Sequence, residues 1–199
     1  RLFKIKKDIQ VIYNFIDIEK YDNTHDQNCN RIAIAKPNER ILTHISNFRP
    51  VKRIPDIIKI FNNIQKEIPS KLLMIGEGPE KKDAKKLVKK LGLEDNVVFL
   101  GNSYEIDRIL CYSDLFILPS ETESFGLAAL EAMAWSVPVI SSNSGGLPEV
   151  NFEGISGYLS NVGNVDEMAE NALKILKNPT ILNKFKENAL SVAERFDIK

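Results

Sequence analysis

Short apolar runs alternate with amphipathic stretches along most of this chain. The runs at 41–46 (ILTHIS), 71–76 (KLLMIG), 96–101 (NVVFLG), 114–118 (DLFIL) and 137–142 (VPVISS) have the length and composition of strands, and 157–160 (GYLS) reads as a shorter sixth. Helical periods separate most of them. Residues 56–67 place Ile57, Ile58, Ile60, Phe61 and Ile64 mainly on one face, and residues 80–91 do the same with Ala84, Leu87, Val88 and Leu91. The alternation from about residue 41 onward predicts an α/β fold with a doubly wound parallel sheet. DLFIL is apolar throughout, as a strand buried on both faces must be, and Pro119 blocks further pairing at its end. Beyond Gly126 the sequence LAALEAMAW is dense in helix formers, so the chain is expected to turn between strand and helix at Ser124, Phe125, Gly126 and Leu127.

Residues 1–40 break this rhythm. Residues 11–16 (VIYNFI) resemble a strand, and 20–30 are polar and irregular, which suggests a connector leading in from another domain. The start lacks both an initiator Met and the apolar core of a signal peptide, so the expectation is a piece of a longer chain.

Composition adds mainly exclusions. With 199 residues, 43% apolar and 27% charged, the chain can bury one full core. Lys plus Arg equals Asp plus Glu at 27 each, so no bulk field favours nucleic acid or an anionic membrane. No apolar run approaches the roughly 20 residues needed to span a bilayer. Cys29 and Cys111 have no metal spacing and form no dense disulfide pattern, which points to a reducing cytoplasm.

In open α/β sheets ligands bind beyond the carboxyl ends of the strands. The candidate loops are therefore 47–53 (NFRPVKR), 77–80 (EGPE), 102–105 (NSYE), 120–126 (SETESFG) and 143–149 (NSGGLPE). The first carries Arg49, Lys52 and Arg53; another holds Glu123 before a helix start, with Glu131 about two turns behind it. Gly145 and Gly146 offer bare backbone that a ligand could approach. Cations would pair with phosphate, carboxylates would accept from sugar or ribose hydroxyls, and helix-start amides would meet the remaining oxygens. This combination suits a phosphorylated sugar.

The block ESFGLAALEA resembles the E-x7-E signature of the retaining nucleotide-sugar glycosyltransferases of family 4. HISNFRPVKR, LLMIGEGPE, VVFLGN, DLFILPSETESFGLAALEAMAWSVPVISSNSGGLPEV and GISGYLS follow in family order, so the resemblance covers nearly the whole chain. It implies a Rossmann-like sheet forming the nucleotide-sugar-binding half of a GT-B fold over 41–199, ending before the family's final helix, with 1–40 as interdomain connector. HISNFRPVKR is similar to the members that join N-acetylglucosamine to L-malate, the first step of bacillithiol biosynthesis. The resemblance then implies UDP-N-acetylglucosamine as donor substrate and a small-molecule acceptor held mainly by the other domain. Position by position, it places Glu123 and the Ser124–Leu127 backbone at the sugar, Glu131 at the ribose and Lys52 at the diphosphate. Gly101 and the loop after Gly76 would border the nucleoside, and Ser46 and Asn47 would donate to phosphate. The family pattern has an arginine five residues before the lysine, where this chain has Asn47. Arg49 is the preferred replacement, ahead of Arg53. No cofactor and no metal are expected, because fixed cations supply the charge and no carboxylate cluster has metal-ligand spacing.

Other conspicuous residues read as structural. The lysines of 81–90 lie off the apolar face and suit a solvated helix, not nucleic acid. His44 and Cys111 are expected in the core, His25 in the connector. Glu149, after Pro148, serves either a helix terminus or a ligand. A dinucleotide dehydrogenase is disfavoured because no G-x-G-x-x-G follows the first strand. Another family 4 reaction, building a polysaccharide or a glycolipid, and a non-catalytic nucleotide-binding module remain open alternatives.

Overall fold

The computed structural model describes residues 12–21, 31, 34–102 and 109–199. Its strands are β1 (Arg40–Ile45), β2 (Ser70–Ile75), β3 (Val97–Gly101), β4 (Leu115–Leu118), β5 (Val139–Ser142) and β6 (Gly157–Ser160). They form one six-stranded sheet in the order β3-β2-β1-β4-β5-β6, with every neighbouring pair parallel. The chain thus winds outward from β1 to one edge, returns to β4 and winds outward to the other. That is the doubly wound sheet expected from the alternation, with each strand within two residues of its predicted bounds.

Six α-helices are described: α1 (Ile54–Gln65), α2 (Lys81–Lys90), α3 (Leu127–Ala134), α4 (Leu147–Val150), α5 (Val165–Leu176) and α6 (Pro179–Ala193). The two-residue period of β4 shows how they sandwich the sheet. Leu115 and Ile117 face a core shared with α1 and α5, while Phe116 and Leu118 face a second core built on α3 and the end of α6. All four β4 residues are buried. In α1, Ile57, Ile58, Ile60, Phe61 and Ile64 are fully buried, a wider face than one sheet contact needs, because α5 covers the helix from the side. Each such side chain contributes roughly 1.5–3 kcal/mol of burial.

Helices α5 and α6 were not foreseen, although their caps are legible. Asn164 Oδ1 accepts from the Glu167 amide, and Asn178 Oδ1 accepts from the Thr180 and Ile181 amides, with Pro179 following. The strand expected at 11–16 is not formed by residues 12–15, and Val11 lies outside the described residues. Ile16 makes only an isolated bridge to Asp197, because this segment runs beside the end of the chain and not beside the sheet. Cys111, expected as a core thiol, is half-buried against the α3 core and is disulfide-bonded; its partner lies outside the described residues. His25 also lies outside them. Among the described residues no helix is long and apolar enough to cross a membrane.

Candidate active site

Strands β1 and β4 are neighbours, yet the chain leaves them toward opposite halves of the sheet, so a cleft opens at their carboxyl ends. The loop after β1 is anchored by Phe48, which is fully buried in a left-handed conformation (φ 31°) with its ring between those of His44 and Phe99. A 3-10 turn, Pro50–Lys52, then brings the chain back over the cleft. The Glu121 amide, on the loop after β4, donates to the Val51 carbonyl at 2.8 Å and ties the two loops together. As a result Lys52 Nζ lies 2.5 Å from Glu123 Oε1, a pair that is mostly shielded from solvent. Ser120 Oγ donates to the same carboxylate oxygen at 2.8 Å.

The Glu123 loop is supported from behind by the turn after β5. Gly146 N–H donates to Glu123 O at 2.8 Å, and Ser144 Oγ donates to Glu121 O at 2.7 Å. A Cβ on Gly145 would stand 2.1 Å from Glu123 O, and one on Gly146 2.5 Å from Ser124 O. The paired glycines therefore let two loops pack backbone to backbone; a ligand does not use that space, contrary to what the sequence suggested.

Gly126 has φ 102° and caps α3. The Ala129 and Leu130 amides are the first to donate to its carbonyl, so the amides of Leu127 and Ala128 have no partner within the helix. Glu131, half-buried, follows one turn later on the same side. A cavity of about 400 Å³ brings Ser46, Asn47, Lys52, Glu123, Ser124, Phe125, Gly126, Leu127 and Glu131 together. Asn14, Ile45, Leu118 and Ala128 line it too, and sequence reasoning missed all four: Asn14 sits in a stretch without motif, Ile45 and Leu118 looked like strand interior, and Ala128 looked like helix interior. Arg49 and Gly101 are not in its lining. Arg49 is exposed at the head of the 3-10 turn, Arg53 is held by Asp56 at 2.6 Å, and the Gly101 carbonyl accepts from Gly76 N at 2.7 Å near the sheet edge. Ser103, Tyr104 and Glu105 lie outside the described residues.

His44 forms the floor beneath Ser46. It is fully buried, and that burial, offset in part by the hydrogen bond to the Ile117 carbonyl and reinforced by the charge of Lys52, lowers its pKa to about 4. Among the described residues no group of three or more His, Cys, Asp or Glu could hold a metal ion. A larger cavity of about 520 Å³ lies between residues 12–15 and 195–198, walled by Tyr13, Phe15, Phe152 and Phe196. Glu149 and Arg195 line it, but Arg195 lies over the Phe152 ring and no open helix start accompanies the pair, so the smaller cavity is the candidate site.

A cation paired with a carboxylate beside a helix start, at the switch point of a doubly wound sheet, fits the family resemblance, and the sequence comparison decides the matter. The model of the glycosyl transferases of group 1 matches residues 26–192. The chain belongs to this family. A relative from Bacillus anthracis, N-acetyl-alpha-D-glucosaminyl L-malate synthase, is 44% identical over 196 residues, which cover 98% of this chain and 51% of the relative. Among solved structures the chain is similar to Anabaena HepE in complex with UDP and glucose, with a TM-score of 0.85 and 26% identity over 94% of this chain and 52% of that one. It is also similar to S. aureus TarM in complex with fondaparinux, alpha-GlcNAc-glycerol and UDP, with a TM-score of 0.83 and 26% identity over 98% of this chain and 38% of that one. The structural neighbours are GT-B glycosyltransferases, and the sheet described above corresponds to one Rossmann-like half of that architecture. The chain spans about half the length of the relatives it matches.

Proposed function

We propose that this chain holds the nucleotide-sugar donor of a retaining glycosyltransferase that transfers N-acetylglucosamine from UDP-N-acetylglucosamine to L-malate. The observation that carries the reading is the meeting of Lys52 and Glu123 at the switch point, facing the open amides of α3. The 44% identity to the malate enzyme supports the choice of substrates.

In this reading Glu131 accepts from the ribose hydroxyls, Lys52 and the Leu127 and Ala128 amides take the diphosphate, and Glu123 accepts from the sugar. Transfer breaks the bond between the sugar's anomeric carbon and the diphosphate oxygen, so negative charge grows on the departing UDP. Lys52 sits where it can offset that charge, which stabilises the transition state more than the ground state. In this reading Glu123 orients the sugar through its carboxylate and is not the nucleophile. L-malate is held by a second domain, and closure of the two halves excludes water that would intercept the activated sugar.

Calorimetry with UDP tests the site. Loss of a charge-assisted hydrogen bond costs about 1.5–3 kcal/mol, so Lys52→Ala and Glu131→Ala should weaken UDP by roughly tenfold to over a hundredfold. Arg49→Ala, outside the cavity, should change it by less than about threefold. Wild-type affinity in both Lys52→Ala and Glu131→Ala would remove these residues from the site.

A further inference from the structure

His44 on β1 has both ring nitrogens engaged. Nδ1 lies 2.8 Å from the Ile117 carbonyl oxygen on β4, and Nε2 lies 2.7 Å from Ser46 Oγ. A carbonyl oxygen can only accept, so the ring proton is on Nδ1. A neutral ring protonated there has only a lone pair at Nε2, and Ser46 must donate its hydroxyl proton to it. The Ser46 backbone amide is also occupied, donating to the Ile75 carbonyl at 3.0 Å. Ser46 therefore lines the cavity beside Lys52 with no hydrogen left to offer. Its Oγ exposes acceptor lone pairs, one of them approached by the Phe48 amide at 3.3 Å.

We propose that His44 is a positioning residue that locks Ser46 as a pure acceptor in the wall of the donor site, so that the diphosphate is held by Lys52 and the amides of α3 and not by the Ser46 hydroxyl. This rests on the donor-site reading above. A serine with a free hydroxyl would rotate its proton toward any anion within reach; bonded to the ring, it cannot. The sequence suggested that Ser46 donates to phosphate, and the geometry removes both hydrogens with which it would do so. Asn47, exposed beside it, keeps its side-chain amide for that purpose. The ring plane is itself fixed, since His44 is stacked between Phe48 and Phe116 with centroids 6.2 and 6.4 Å away. Burial keeps the ring neutral over the working range of pH, consistent with its lowered pKa of about 4.

Two measurements test the proposal. The first is a long-range proton–nitrogen NMR spectrum of the labelled chain, which needs no ligand. The expected signature is a neutral His44 protonated on Nδ1 whose Nε2 resonance moves in Ser46→Ala. A ring protonated on Nε2, or an Nε2 resonance indifferent to Ser46→Ala, would overturn the assignment. The second is calorimetry with UDP. In the wild-type background Ser46→Ala should change the dissociation constant by less than about threefold, because no donor is lost. In His44→Leu the hydroxyl is released to the diphosphate, and adding Ser46→Ala should then cost about tenfold. His44→Gln keeps one donor and one acceptor and should behave as wild type toward Ser46→Ala, which also covers the case in which His44→Leu fails to fold. A tenfold loss from Ser46→Ala alone or in His44→Gln, or equally small effects in the wild-type and His44→Leu backgrounds, would overturn the proposal. A wild-type chain that does not bind UDP would sink the donor-site reading while leaving the NMR test standing.

Discussion

A single buried imidazole gives the chain a stability that depends on pH. Burial holds the His44 pKa at about 4, below the ordinary imidazole value of 6.5 that it regains on unfolding, so between these values the unfolded state binds more protons than the folded one. The stabilisation is complete above pH 6.5 and is lost as pH falls toward 4. At 1.36 kcal/mol per unit the full effect is about 3 kcal/mol, of which about 2 kcal/mol is gone near pH 5. Thermal unfolding followed from neutral to acid pH should show a steeper decline in wild type than in His44→Gln; parallel curves would mean that His44 is not held neutral. Also at this scale, Glu123 neutralises the cation assigned to the diphosphate. If Lys52 must leave Glu123 for UDP, Glu123→Gln should tighten UDP by about two- to fivefold, the worth of a partly shielded ion pair, and tighten UDP-N-acetylglucosamine less, because its sugar exchanges a charged acceptor for a neutral one. Weaker UDP binding in Glu123→Gln would show that the pair does not compete with the ligand.

At the scale of elements, the site depends on loops that touch without side chains between them. Gly145 has φ 59° and packs on Glu123 O, whereas Gly92 has φ 68° and nothing within 4 Å of its would-be Cβ. Gly92→Ala thus carries only the left-handed strain, about 1–2 kcal/mol. Gly145→Ala carries that strain and a backbone clash, and should cost about 2 kcal/mol more, or else push the Glu123 loop off Lys52 and lower affinity for UDP-N-acetylglucosamine. Denaturant unfolding of the two variants, with calorimetry on whichever stays folded, separates the effects. Equal stability and unchanged sugar-nucleotide affinity would show that the loop has slack. Gly76 plays a comparable part on the other side, where its would-be Cβ falls 1.8 Å from Ser46 O.

For the whole molecule, the relevant fact is that the chain spans about half the length of its relatives. The groups assigned to the sugar nucleotide converge on one cavity within these residues, but nothing in that cavity is assigned to L-malate. The expected outcome is that this chain binds UDP, while malate-dependent release of UDP from UDP-N-acetylglucosamine occurs at full rate only in a chain of the relative's length. Release by this chain at the rate of such an enzyme would place the acceptor site within its residues.

The order of strands and helices was legible in the sequence because it rests on local facts: apolar runs, helical periods, Pro119 at the end of β4 and the glycine before α3. The E-x7-E block and the run HISNFRPVKR, read through their family, together named most of the residues that line the cavity. Two helices with clear asparagine caps were legible and went unread. What tertiary structure alone decided is which groups meet and which hydrogens remain free. Lys52 and Glu123 are 71 positions apart, and only the adjacency of β1 and β4 places them 2.5 Å from each other. Arg49, three positions before Lys52, is turned outward by the same 3-10 turn that carries Lys52 inward. Ser46 looks like a donor in any sequence; the ring of His44 and the carbonyls of Ile75 and Ile117 make it an acceptor, because hydrogen-bond capacity is finite and is allotted in three dimensions.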